Sequence, residues 1–77
     1  MFGKEIMDMK LSARNILKGK VVKIVRGAVN AEVIIQLPGG EQVVSIITNG
    51  SVESLGLKEG QEAYAVIKAS SVMIAVD

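Results

Sequence analysis

The chain is expected to fold as a small all-β domain, an antiparallel barrel or sandwich with one short helical turn. Three observations lead there. Valine and isoleucine supply most of the apolar mass, eleven and nine residues against five leucines, and β-branched side chains suit a pleated, half-buried surface. Residues 28–37 show the cleaner alternation, with Val29, Ala31, Val33, Ile35 and Leu37 on one face and Asn30, Glu32 and Gln36 on the other. Glycine, proline and Asn-Gly punctuate the chain at strand-length intervals, as in small all-β folds.

Each element follows from local pattern. Residues 20–26, between Gly19 and Gly27, read as a strand whose imperfect alternation implies partial burial on both faces. Residues 28–37 and 41–48 form a β-hairpin closed by Pro38-Gly39-Gly40, where Pro sets φ and Gly accepts φ > 0. Asn49-Gly50 breaks the second arm. Ser51 is the expected N-cap of a single helical turn over residues 52–55, with Glu53 near its positive end and Gly56 as its stop. After the turn Leu57-Lys58-Glu59-Gly60, residues 61–68 read as a strand with Ala63, Ala65 and Ile67 on one face. Residues 72–76 read as a fifth, short strand. Gly19, Ala63 and Ala65 are small enough to relieve crowding where barrel strands bend. The basic set Lys18, Lys20, Lys23 and Arg26 is expected on a solvated strand edge, where charge deters edge pairing.

Composition narrows the functions. Seventy-seven residues allow one domain, with residues 1–8 as an N-terminal extension of a kind usually poorly ordered and residues 9–77 as the domain itself. Met9 is a second candidate start. A chain this short buries only about 60% of its unfolded surface. It has no Cys and no His, so neither a disulfide nor a zinc staple is available, and self-association is the expected remedy. The same absences remove thiol nucleophiles and imidazole bases, and no acid–base pair is evident, so an enzyme is not expected. A net charge of +1 and two aromatics, Phe2 and Tyr64, suit neither a nucleic-acid backbone nor a base-stacking platform. No apolar run approaches a membrane span or a signal peptide. A cytoplasmic protein is expected.

Chemistry concentrates in two polar islands, Ser12-Ala13-Arg14-Asn15 and Lys68-Ala69-Ser70-Ser71. Each sets a cation beside small hydroxyl or amide side chains and an alanine that lets another group approach the backbone. Neither contains a carboxylate. This is the donor inventory of an oxyanion site: a guanidinium fork, a point charge, hydroxyls and free N–H groups. A nearby acid would repel such a ligand. Islands between strands serve most often as turns whose Ser and Asn side chains bond their own backbone, and that reading stands beside the functional one. Thr48-Asn49-Gly50-Ser51 has helix capping as its default role. Gly39-Gly40 lacks the Lys-Ser/Thr of a phosphate loop.

The wording of the chain then adds what spacing does not. Met9-Lys10-Leu11-Ser12-Ala13-Arg14-Asn15, followed by Leu17-Lys18-Gly19-Lys20-Val21-Val22, closely resembles the opening of the molbindins, the Mop family within the TOBE domains. The likeness continues through Gly27-Ala28-Val29-Asn30-Ala31-Glu32-Val33 and Ile46-Ile47-Thr48, then Ser51-Val52-Glu53-Ser54-Leu55-Gly56-Leu57-Lys58-Glu59-Gly60. It ends in Ala65-Val66-Ile67-Lys68-Ala69-Ser70-Ser71-Val72-Met73-Ile74. The resemblance covers residues 9–77. It implies an OB-like antiparallel β-barrel that binds molybdate, and tungstate, without transforming it. It also implies a homo-hexamer, a trimer of dimers, holding oxyanions at subunit interfaces for intracellular molybdenum storage and homeostasis. Carried over residue by residue, the anion would meet Ser12, Ala13, Arg14, Asn15, Lys68, Ala69 and Ser70, with Thr48 a further donor. A second, weaker site would involve Val29, Asn30 and Ala31, although Glu32 beside them is unfavourable for anions. No organic cofactor, directly ligated metal cation, nucleic acid or membrane partner is implied. The alternative is a detached molybdate-sensing or dimerisation module acting on a transporter or transcription factor. Stoichiometric capture of an ATPase or repressor subunit would mark that case.

Overall fold

The computed structural model describes residues 13–77. Four strands, β1 (Asn15–Arg26), β2 (Asn30–Gln36), β3 (Gln42–Thr48) and β4 (Glu62–Ile67), form one antiparallel sheet in the order β3-β2-β1-β4. The sheet curls into a half-barrel, and α1 (Asn49–Leu55) packs against it. The all-β antiparallel class with one short helix is as expected.

The curl originates in β1. Its first half pairs with β4, from Asn15 opposite Ile67 to Lys20 opposite Glu62. Its second half pairs with β2, from Lys20 opposite Gln36 to Arg26 opposite Ala31. Only Lys20 is paired on both sides. The change of partner needs a bend, and two features supply it. At Gly19 an added Cβ would lie 2.6 Å from both the Gln36 carbonyl oxygen and Ile35 Cγ2, so only glycine lets β2 approach this closely. Between Val21 and Lys23 the register slips, leaving Val22 as the extra residue of a bulge. That slip accounts for the imperfect alternation of residues 20–26. The Glu59 carboxylate accepts from the Ile24 N–H at 3.2 Å beyond the bulge.

The core lies on the concave face: Val21, Ala31, Val33, Ile35, Val52 and Ala65 are buried. Ala31, Val33 and Ile35 are the alternating positions of residues 28–37, whereas Val29 at the start of that run is 69% exposed. Val52, the buried residue of α1, fastens the helix to this cluster. Among the described residues no buried side chain is polar or charged.

Four expectations are corrected. The N-cap of α1 is Thr48, not Ser51: Thr48 Oγ1 accepts from the Ser51 N–H at 3.0 Å, an interaction typically worth about 1 kcal/mol. The helix therefore starts earlier, at Asn49, and Glu53 lies beyond its first turn, paired instead with Arg26 at 3.0 Å. The stop is as expected, since Gly56 is left-handed at φ 63° and its N–H donates to the Glu53 carbonyl. The basic residues lie not on an outermost strand but on β1, each half of which is paired on one side only. Lys18, Lys20, Lys23 and Arg26 are exposed along it, with Lys18 3.5 Å from Glu62. The first strand begins at Asn15 and not after Gly19, so residues 15–19 are the first half of β1. Residues 72–76, expected as a fifth strand, form none.

Candidate functional site

The β1–β4 ladder brings the two polar islands to one end of the sheet. Asn15 opens β1 opposite Ile67, the last residue of β4. Asn15 Nδ2 donates to the Ile67 carbonyl at 3.2 Å across 52 positions of sequence. Arg14 and Lys68 are the next residues outward on these two chains, and both are exposed. Ala13 and Asn15 are half-buried. Ser12 lies outside the described residues.

Past β4 the chain turns at once. Lys68 is extended, at φ −62° and ψ 138°, and Ala69–Ser71 form a 3-10 turn. The Ser71 N–H donates to the Lys68 carbonyl at 2.9 Å, and Val72 N–H to that of Ala69 at 3.2 Å. Those bonds occupy carbonyls, whereas the first N–H groups of such a turn have no partner within it. The N–H groups of Ala69 and Ser70, at the start of the turn, are therefore the ones left without a partner inside it. Ala69 carries no side chain that would obstruct approach to this backbone. Lys68, Ala69 and Ser70 are all exposed.

Thr48 stands elsewhere. Asn30 pairs with Thr48, and both lie at the Arg26 end of β1. Eleven extended steps of about 3.3 Å separate that end from Asn15, in a molecule whose longest dimension is 38 Å. A single protomer therefore does not bring Thr48 to the islands. Its hydroxyl also donates to Ser51 Oγ at 2.9 Å while capping α1.

The three residues of the expected weaker site are likewise dispersed in environment. Val29 and Asn30 are exposed, but the Ala31 side chain is buried in the core. Sequence reading overlooked Asn49, which organises this end. Its Nδ2 donates to the Gly27 carbonyl at 2.9 Å and its N–H to that of Val29 at 2.8 Å. Its Oδ1 is buried without a partner. That oxygen is an acceptor, so it calls for a donor rather than an anion. Asn49-Gly50 reads locally as a strand breaker, and no short-range signal reveals the reach back to Gly27.

A separate open cavity of about 520 Å³ lies at the bend of β1, lined by Lys18, Gly19, Lys20, Val22, Gln36, Leu37, Pro38 and Glu62. Its carboxylate makes it a poorer anion site than the islands. Among the described residues no group of three or more acidic side chains could hold a metal cation. No described helix is long and apolar enough to cross a membrane.

Comparison with known proteins agrees with the fold. Residues 11–74 match the family model of the TOBE domain. Molybdenum-pterin-binding protein 3 of Clostridium pasteurianum is 56% identical over 66 residues, which span 86% of this chain and 97% of that protein. The solved structure of MopII from Clostridium pasteurianum superposes with a TM-score of 0.81 at 52% identity, covering 87% of this chain and all of the other. The cytoplasmic molybdate-binding protein ModG, solved with molybdate bound, gives a TM-score of 0.82 at 54% identity. There 87% of this chain matches 48% of the other. With the fold and most of the length shared, this chain belongs to the Mop, or molbindin, group of the TOBE domain family.

Proposed function

We propose that this protein binds molybdate, and tungstate, reversibly at subunit interfaces, and so stores and buffers molybdenum in the cytoplasm without catalysing a reaction. The observation that carries the reading is the pairing of Asn15 with Ile67, which makes neighbours of two acid-free islands bearing Arg14 and Lys68. Kinship with molybdate-binding proteins supplies the ligand.

In this mechanism a tetrahedral dianion exchanges its hydration shell for fixed donors. Arg14 grips two oxygens with its planar fork and Lys68 adds a point charge. The backbone of Ala13 and Ala69, the hydroxyls of Ser12 and Ser70 and the Asn15 amide complete the shell. Thr48 joins from a neighbouring subunit, as its distance from the islands within one protomer requires. The weaker site at Val29, Asn30 and Ala31 engages backbone atoms, since the Ala31 side chain is buried. Sulfate is discriminated by size, and phosphate by its proton, for which neither island has a carboxylate acceptor. Residues 9–77 act as one domain. The working assembly is a hexamer, a trimer of dimers, and anion binding between subunits stabilises it by mass action.

Native mass spectrometry after molybdate loading tests this directly. The expected spectrum is a six-chain species carrying a whole number of molybdate adducts, reproduced with tungstate and absent with sulfate. A monomer without adducts at millimolar molybdate contradicts the proposal.

A further inference from the structure

Asn49-Gly50 is the chain's one Asn-Gly pair. Asparagine is a thermolabile residue, and a following glycine is the setting in which its side-chain amide is lost most readily. The glycine nitrogen approaches the side-chain carbonyl carbon with no Cβ in the way. The other two asparagines precede Ile16 and Ala31, whose Cβ atoms obstruct that approach, and they lie in β1 and β2.

The fold holds the pair in an unreactive geometry. Asn49 and Gly50 begin α1. Ring closure requires the Gly50 nitrogen to swing onto Asn49 Cγ by rotation about the Asn49 Cα–C bond, and a helical backbone fixes that rotation at a ψ of about −42°. The residue is pinned as well. Its Nδ2 donates to the Gly27 carbonyl at 2.9 Å and its N–H to that of Val29 at 2.8 Å. Thr48 caps the same turn by accepting from the Ser51 N–H at 3.0 Å. The lock is local, however. α1 has seven residues, of which Val52 is the buried one. A helix this short does not hold together unaided, and its first two residues are poor helix formers. Elements of this kind open without global unfolding.

We propose that Asn49-Gly50 is a deamidation site gated by the first turn of α1, and that its reaction releases α1 irreversibly from the turn between β1 and β2. When the first turn of α1 opens, the Gly50 nitrogen gives up its proton and bonds to Asn49 Cγ. The Cγ–Nδ2 bond breaks and ammonia leaves. Water then opens the five-membered ring at either carbonyl, giving aspartate or its β-linked isomer. One water is consumed and one ammonia released, with no oxidant or metal required. Neither product rebuilds the clamp. The aspartate sets a carboxylate oxygen where Nδ2 had donated, an acceptor facing the Gly27 carbonyl. Its other oxygen inherits the place of Oδ1, which is already buried without a partner, and a charge buried there costs more than an amide oxygen. The β-linked product adds a carbon to the main chain and shifts Gly50 out of helical register. The reaction does not depend on the anion-binding reading.

The test follows the full chain without molybdate in mildly alkaline buffer, native and in guanidinium chloride, with deamidation located by tandem mass spectrometry. In guanidinium, Asn49 is expected to react at least about tenfold faster than Asn15 and Asn30. Equal rates at the three positions overturn the site. The native chain is expected to react at Asn49 at least about tenfold more slowly than the unfolded one, and equal rates in the two states overturn the gating. Thr48→Ala removes the cap. It is expected to speed the native reaction about fivefold while leaving the rate in guanidinium as in the parent. An unchanged native rate shows that the turn at Thr48 is not the gate. The reacted chain, returned to native buffer, is expected to melt at least about 5 °C below the parent. A reacted chain that melts with the parent overturns the irreversible release.

Discussion

Gly19→Ala is expected to lower the melting temperature by roughly 10–20 °C. The new methyl group would lie 2.6 Å from the Gln36 carbonyl oxygen and from Ile35 Cγ2, and 3.2 Å from the Gln36 carbonyl carbon. Two of those three atoms are backbone, so relief requires β1 and β2 to move apart. They meet here at the point where β1 changes partners, with Lys20 paired to both neighbours. Overpacking of this kind costs about 1–3 kcal/mol, and each kcal/mol shifts the melting temperature of a domain this size by about 4–8 °C. Gly50→Ala is the control. Its added Cβ meets nothing closer than Thr48 Oγ1 at 3.9 Å, and it lies within α1. Alanine is favoured over glycine in a helix by about 0.5–1 kcal/mol, so this variant is expected to melt at or above the parent. Thermal denaturation followed by circular dichroism reads both. A Gly19→Ala chain that melts with the parent contradicts the bend described for β1.

Arg14→Ala and Lys68→Ala are each expected to weaken molybdate binding about 10- to 150-fold. A hydrogen bond to a charged group contributes about 1.5–3 kcal/mol, and 1.4 kcal/mol corresponds to a factor of ten. Both side chains are exposed in the free protomer, so their removal is expected to change its stability by no more than about 0.5 kcal/mol. Arg14→Lys separates charge from shape. It keeps the cation but loses the fork, so its binding is expected to fall between the parent and Arg14→Ala. Isothermal titration with molybdate measures all three. Variants that bind as the parent does remove Arg14 and Lys68 from the site.

What could be read from the sequence follows the range of the interactions involved. The hairpin over residues 28–48 was legible because its alternation and its Pro-Gly-Gly turn are local, and Gly40 does adopt φ 99°. The first half of β1 was obscured. Its outward Lys18 and Lys20 and its Gly19 look like a polar linker until Tyr64, Ala63 and Glu62 are set opposite them. Residues 72–76 present the reverse case: their composition is that of a strand, but strand formation also needs an edge to pair with. The helix boundary was misread because Asn49 and Gly50 are poor helix formers, and the cap at Thr48 outweighs their propensity. The two islands could be picked out individually by their lack of acids. That Arg14 and Lys68 should lie at the same end depends on a register set between residues 15 and 67, which no local pattern encodes. Family resemblance supplied that link. It also grouped Thr48 with them, a grouping that one protomer does not reproduce.

Molybdenum scatters X-rays anomalously, so a crystal grown with molybdate gives the anion's position without reference to any expected ligand set. The account predicts an anomalous peak within hydrogen-bonding reach of both the Arg14 guanidinium and the Lys68 ammonium, from one subunit or two. A peak remote from both side chains, at full occupancy, would contradict it.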